Sequence, residues 1–139
     1  MPFTLLAKEV MADFCGGFAT EAEDAAAIRE LYDETGYVID THTGVASAVY
    51  QQYKKNTGDE TKTVIASTAS PYKFSRSVME AISDEKLPED EFAVIDELSR
   101  VSGVEIPKAV EEIRNAQIRH KLECDVQDMK KTVAKILGI

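Results

Sequence analysis

Two short apolar runs, Tyr37-Val38-Ile39 and Thr63-Val64-Ile65-Ala66, stand on either side of a segment with helical periodicity, and a second helical segment follows. Strand, helix, strand, helix in that order predicts two parallel strands joined by a right-handed crossover. Val64-Ile65-Ala66 is apolar without alternation, the pattern of a strand covered on both faces. A parallel sheet of two strands is rarely independent, and no further strand pattern is present. The expected fold class is therefore α/β: a fragment of a three-layer α/β/α fold with a short parallel sheet (two strands, right-handed crossover) and a helical C-terminal half. Residues 1–139 are expected to form a single domain cut from a larger protein.

The helices are read from their faces and their punctuation. Leu5, Leu6, Val10, Met11 and Phe14 share one helical face, and Cys15-Gly16-Gly17 predicts its stop. Thr20 followed by Glu23 is a capping box for a helix with Ala25, Ile28 and Tyr32 inward, ending near Gly36. The carboxylates of Asp13, Glu21, Glu23, Asp24, Glu30, Asp33 and Glu34 read as a solvated acidic face. Thr41-His42-Thr43 opens a helix running to about Lys55. Val45, Ala46, Ala48, Val49, Tyr50 and Tyr53 nearly encircle it, which predicts protein on more than one side. Asn56-Thr57-Gly58-Asp59 is a turn. Ser70-Pro71 supplies an N-cap and a proline at the first helical position, with Phe74, Val78 and Ile82 inward. Pro88 to Ser102 is predicted helical, with Phe92, Ile95 and Leu98 inward and Gly103 as stop, and Pro107 opens a stretch with Val110 and Ile113. The alternation from Gln117 to Glu123 predicts an extended segment. Asp125 then caps a last helix striped by Val126, Met129, Val133 and Ile136, whose Lys130, Lys131 and Lys135 suit the negative end of the helix dipole.

Charge narrows the partners. Sixteen basic against 25 acidic residues leave a formal net charge of −9, the wrong sign for a phosphate-backbone binder, so no nucleic acid is expected. No apolar run approaches the roughly 20 residues that span a bilayer, so no membrane is expected. Met1-Pro2-Phe3 lacks the layout of a secretion signal, and a cytoplasmic location is expected. Cys15 and Cys124 are too few for a disulfide framework and have no metal-type partner spacing, so no metal is expected.

In an open parallel sheet, ligands bind beyond the carboxyl ends of the strands, at helix N-termini. Asp40-Thr41-His42-Thr43-Gly44 and Ser67-Thr68-Ala69-Ser70 occupy such positions. Both offer hydroxyls and free amides to an anionic or acceptor-bearing ligand, and both equally serve as helix caps. His42 is either a structural hydrogen-bonder or a pocket residue, and His120, between Arg119 and Lys121, reads as solvated. The chain contains no glycine-rich phosphate cradle, no nucleophile elbow and no lysine in an apolar setting suited to Schiff-base chemistry. It offers half of a pocket.

Two segments, Gly36-Tyr37-Val38-Ile39-Asp40-Thr41-His42-Thr43-Gly44-Val45-Ala46 and Ser67-Thr68-Ala69-Ser70-Pro71-Tyr72-Lys73-Phe74, followed by Leu87-Pro88, resemble the C-terminal portion of threonine synthases, from about Phe14 onward. Members of that family often carry proline where Thr41 stands and histidine where Ser70 stands, so no role of that histidine transfers. The resemblance implies a pyridoxal-phosphate-dependent lyase of the tryptophan-synthase β type, active in threonine biosynthesis. Such an enzyme converts O-phosphohomoserine and water to threonine and phosphate by γ-elimination and β-addition of water. It further implies that Thr68 faces the cofactor ring nitrogen with a neutral hydroxyl. His42, Thr43 and Ser67 would line the pocket, and Lys73 would either help neutralise a phosphate or stay on the surface. No catalytic residue is expected here, because in that family the Schiff-base lysine and the phosphate loop belong to a missing N-terminal part of the same enzyme. The isolated chain is accordingly expected to be inactive. Two other readings remain: a freestanding interaction module or half of a split enzyme, with Asp59 and Lys62 blunting the sheet edge, and a related lyase such as threonine dehydratase or cystathionine β-synthase.

Overall fold

Side-chain caps mark where several helices of this chain begin. The structure, a computed structural model, describes residues 13–139, so Leu5, Leu6, Val10 and Met11 of the first expected helical face lie outside the described residues; Phe14 is 72% exposed. Helix α1 spans Glu21–Thr35. The Thr20 amide donates to Glu23 Oε2 at 2.8 Å and the Glu23 amide donates to Thr20 Oγ1 at 3.3 Å, the reciprocal pairing of a capping box. Gly36 closes it at φ 72°, a left-handed conformation that a side chain resists. Helix α2 spans Thr41–Thr57 with Asp40 as its N-cap. A 3₁₀ turn, Pro71–Phe74, opens where the Tyr72 amide donates to Ser70 Oγ, and leads into α3, Ser75–Ile82. Helix α4, Glu91–Ser102, starts three residues later than Pro88 suggests, because the Asp90 carboxylate accepts from the Phe92 and Ala93 amides.

These four helices bury one core. Helix α1 packs against both α2 and α3, and α3 packs against α4. Ile28 of α1, Ala48 of α2, Val78, Met79 and Ile82 of α3, and Val94 and Leu98 of α4 are buried. Arg29 ties α1 to the end of α3, donating to the Ile82 carbonyl at 3.2 Å and pairing with Asp84. Arg76 ties α3 to the approach of α4, donating to the Pro88 carbonyl at 2.8 Å and to Glu91 at 2.6 Å. The buried Tyr72 hydroxyl donates to the Val104 carbonyl.

The expected parallel sheet is absent. Among the described residues there is no strand, and both apolar runs are irregular chain. A strand exists only through a hydrogen-bonded neighbour, and neither run has one. The first run is instead a connector of a few residues between α1 and α2 whose Val38 and Ile39 are buried in the helical core. In the second, Val64 is 91% exposed. The apolar character that suggested a doubly covered strand is satisfied by helices in the first case; in the second Ile65 is half-buried while Val64 stays exposed. Among the described residues there is no sheet edge for Asp59 and Lys62 to protect. The described part of the chain is helical.

Contacts divide the chain into two compact units, Met1–Pro107 and Lys108–Ile139. The second holds α5, Lys108–Arg114, a 3₁₀ turn, Val126–Asp128, and α6, Met129–Leu137. Gln117 to Glu123 is irregular, and Asp125 stands at the start of the 3₁₀ turn without a side-chain cap bond. Val126, Met129, Val133 and Ile136, the expected apolar stripe, are each more than half exposed. Among the described residues no helix is long and apolar enough to cross a membrane, and no group of three or more His, Cys, Asp or Glu side chains is placed to hold a metal ion.

Candidate functional site

The polar corner at the start of α2 is organised by one carboxylate. Asp40 is fully buried. Its Oδ2 accepts from the His42 amide at 2.9 Å and lies 2.9 Å from His42 Nδ1. Its Oδ1 accepts from the Thr43 amide at 3.3 Å and from the Thr43 hydroxyl. Burial alone pushes this carboxyl up. The Thr43 hydroxyl, the His42 amide and imidazole and the Thr43 amide together outweigh burial and hold it below the usual carboxylate range. The local reason is sequence order: an acid at N-cap, followed by a donor-bearing residue at each of the next positions that face back toward it.

The second hydroxyl cluster reaches the same corner. Thr43 Oγ1 and Ser67 Oγ are 2.9 Å apart. A carboxylate has no proton to give, so the Thr43 hydroxyl donates its single proton to Asp40, and Ser67 donates to Thr43. The imidazole of His42 lies 5.5 Å from the ring of Phe74, and Lys73 Nζ sits 5.5 Å from that same ring, a cation–π distance. Phe74, expected inward, is 42% exposed and forms this platform instead. Of the residues singled out in the sequence, Thr43 is buried, while His42, Ser67, Thr68 and Lys73 are exposed. The structure joins Thr43 to Ser67 and places His42 beside the Phe74–Lys73 pair; Thr68 follows Ser67 on the same irregular loop. The corners meet at a helix start and a loop, not at strand tips.

Two clefts flank the corner. One, of about 670 Å³, is lined by His42 together with Cys15, Val45, Val49, Tyr53 and Val64, within the size range of small-molecule sites, about 300–1,000 Å³. The other, of about 410 Å³, is lined by Glu21, Asp24, Thr41, Ser77 and Glu80. Three carboxylates and no cation make the second cleft hostile to a phosphate-bearing ligand.

Asp24 departs from the solvated acidic face assigned to it. Its Oδ1 is buried and has no hydrogen-bond partner. Burial raises the pKa of its carboxyl, and the charge of Asp40 raises it further, against a smaller lowering by His42. Gly44 makes this position possible, since a Cβ there would collide with Asp24 Oδ1 and stand 2.8 Å from Ile28 Cγ1. The signal was present in the spacing: Asp24 lies four residues before the buried Ile28, on the same helical face.

What the corner can do chemically is limited and definite. A buried carboxylate holds an imidazole that lines a cleft and a hydroxyl linked to Ser67, and Lys73 lies over the Phe74 ring beside that imidazole, so the corner offers hydrogen-bonding groups to a small polar ligand. The particular family follows from comparison. The model of the family described as threonine synthase, C-terminal, matches residues 43–133, more than half of the chain, and the chain belongs to that family. Over 84 residues, 60% of this chain, it is 32% identical to the human protein "Threonine synthase-like 1", covering 11% of that relative. The mouse protein of the same name is 31% identical over 83 residues, 60% of this chain and 11% of its own length. The "Threonine synthase" of Corynebacterium glutamicum is 31% identical over 84 residues, 59% of this chain and 17% of its own length. The chain thus spans a small part of the curated relatives it matches. No solved structure gives a significant match.

Proposed function

We propose that this chain forms the C-terminal wall of the active-site cleft of a threonine synthase, an enzyme that uses pyridoxal phosphate to convert O-phosphohomoserine and water to threonine and phosphate. The observation that carries the reading is the Thr43–Ser67 hydrogen bond, which brings the two family-like motifs into one corner, inside or beside the matched region. The donor chemistry fits the cofactor: Thr68 and Ser67 are exposed neutral hydroxyls, and Lys73 is an exposed cation. In this reading Thr68 faces the ring nitrogen. Its hydroxyl leaves that nitrogen unprotonated, where a carboxylate would favour the protonated form. When bound, the cofactor supplies the electron sink that stabilises a substrate carbanion. His42 and Thr43 line the pocket, and Lys73 neutralises part of a phosphate charge. The lysine that carries the cofactor and the phosphate-holding loop come from an N-terminal part of the same cytoplasmic enzyme, so the 139-residue chain by itself is inactive.

The test has two arms. Added to the isolated chain, pyridoxal phosphate should keep its free absorbance spectrum; a protein-dependent spectral change at micromolar cofactor would contradict the assignment of the cofactor-carrying lysine to another segment. In the complete enzyme, Thr68→Ala should lower threonine release from O-phosphohomoserine roughly tenfold, the worth of one hydrogen bond of about 1 kcal/mol or slightly more. A complete protein that releases neither threonine nor phosphate from that substrate overturns the proposal.

A further inference from the structure

We propose that Asp40 is a positioning residue: it holds the His42 imidazole as the Nδ1-protonated tautomer, so that Nε2 carries a lone pair at the wall of the 670 Å³ cleft and accepts a hydrogen bond from a ligand hydroxyl or ammonium group. Nδ1 lies 2.9 Å from Asp40 Oδ2, and a carboxylate there can only accept, so the proton between them sits on Nδ1. In a neutral imidazole the other nitrogen is then the acceptor. Asp40 cannot easily turn away. The oxygen that meets the ring also takes the His42 amide, and the opposite oxygen takes both the amide and the hydroxyl of Thr43. Ser67, bonded to Thr43 Oγ1, locks the hydroxyl that locks the carboxylate.

The imidazole itself is not sealed. Its side chain is 53% exposed while that of Asp40 is 0% exposed, so the pair has a buried orienting end and an open end. The groups that face the ring are Asp40 at the cap, Asp24 from α1, the Phe74 ring at 5.5 Å and, behind that ring, Lys73. None of these competes with a ligand for Nε2: Asp24 acts on the ring only through its field, the Phe74 ring packs against it, and Lys73 is held over Phe74. A helix cap would need only the two backbone amides. The additional bond to the ring is what an orienting role requires and a cap does not. This inference rests on the proposed function only for the identity of the ligand; the tautomer does not depend on it.

The experiment is a long-range ¹H–¹⁵N correlation spectrum of the full 139-residue chain, with ¹⁵N-labelled histidine, at a pH where both imidazoles are neutral. His120→Gln assigns the two sets of ring signals. The expected result is a predominantly Nδ1-protonated His42, with the solvated His120 showing the opposite preference normal in water. Asp40→Ala, which removes the acceptor, should return His42 to the Nε2-protonated form preferred in water, while Thr43→Ser leaves it unchanged. A wild-type His42 that is mainly Nε2-protonated overturns the proposal, as does an Asp40→Ala chain with unchanged helix content and unchanged tautomer. Should Asp40→Ala fail to fold, the wild-type spectrum decides alone: a predominantly Nδ1-protonated His42 supports the assignment and a predominantly Nε2-protonated one overturns it. No cofactor or substrate enters these spectra, so failure to release threonine in the complete enzyme would leave this result standing, and the reverse also holds.

Discussion

Gly44 and Asp24 face each other across the α1–α2 contact, and the fit leaves no room for a methyl group. Gly44→Ala should therefore destabilise the chain by about 1–3 kcal/mol, the range for overpacking a close contact, measured as a lower urea midpoint at unchanged slope. Replacing Asp24 with alanine in the same chain should recover part of the loss. The two carboxylates of this corner respond to pH with opposite signs. Asp24 has a raised pKa, chiefly from burial, so ionising it opposes folding: the stability it permits is intact below the ordinary value of about 3.9 and is lost as pH rises through its native value. Asp24→Asn should accordingly stabilise relative to wild type at pH 7 and lose that advantage below pH about 4. Asp40 has a lowered pKa, because its hydrogen bonds outweigh burial. Its contribution is present above the ordinary value and is lost as pH falls through the native one. Asp40→Ala should cost about 1–2 kcal/mol at pH 7 and less as the medium becomes strongly acidic. Thermal melts of both variants from pH 3 to pH 7 check the opposite slopes.

At the scale of elements, the sequence was most informative where a cap chemistry is local. Thr20 with Glu23, Ser70 with Pro71, and the stops at Gly36 and Gly103 stand where the residue pattern places them. Such signals involve atoms within four residues of one another, so tertiary packing has little chance to override them. Faces were read less well. In α4 the buried pair is Val94 and Leu98, with Phe92 and Ile95 only half-buried, because which stripe of a broadly apolar helix turns inward depends on the neighbour it meets. Leu98 is wholly buried, and Leu98→Ala should cost about 2–5 kcal/mol, visible as a lower denaturation midpoint; the exposed Leu122 should tolerate the same change within about 0.5 kcal/mol. The candidate site shows the same division. His42, Thr43, Ser67, Thr68 and Lys73 were recognisable as types at helix starts, whereas the link of Thr43 to Ser67, 24 residues apart, and the exposure of Phe74 beside His42 are contacts that no local pattern encodes.

For the whole molecule, fold class follows from pairing between segments and not from their composition. Tyr37-Val38-Ile39 and Thr63-Val64-Ile65-Ala66 have strand composition, yet strand formation is a property of a pair, and neither run has a partner among the described residues. Val38 and Ile39 gain their burial by joining α1 to α2. Membership in the threonine synthase C-terminal family, in contrast, rests on residue identities over residues 43–133 and needs no coordinates. By itself the sequence determined the caps at Thr20 and Ser70, the stops at Gly36 and Gly103, the family and the polar residue types available to a ligand, because each is written in neighbouring residues or in identity along the chain. Only the tertiary structure decided that the connector runs are not a sheet, that Asp24 is buried against Gly44, and that Asp40 draws His42, Thr43 and Ser67 into one hydrogen-bonded corner. Those outcomes depend on distances between segments far apart in the chain, set by how the helical core closes.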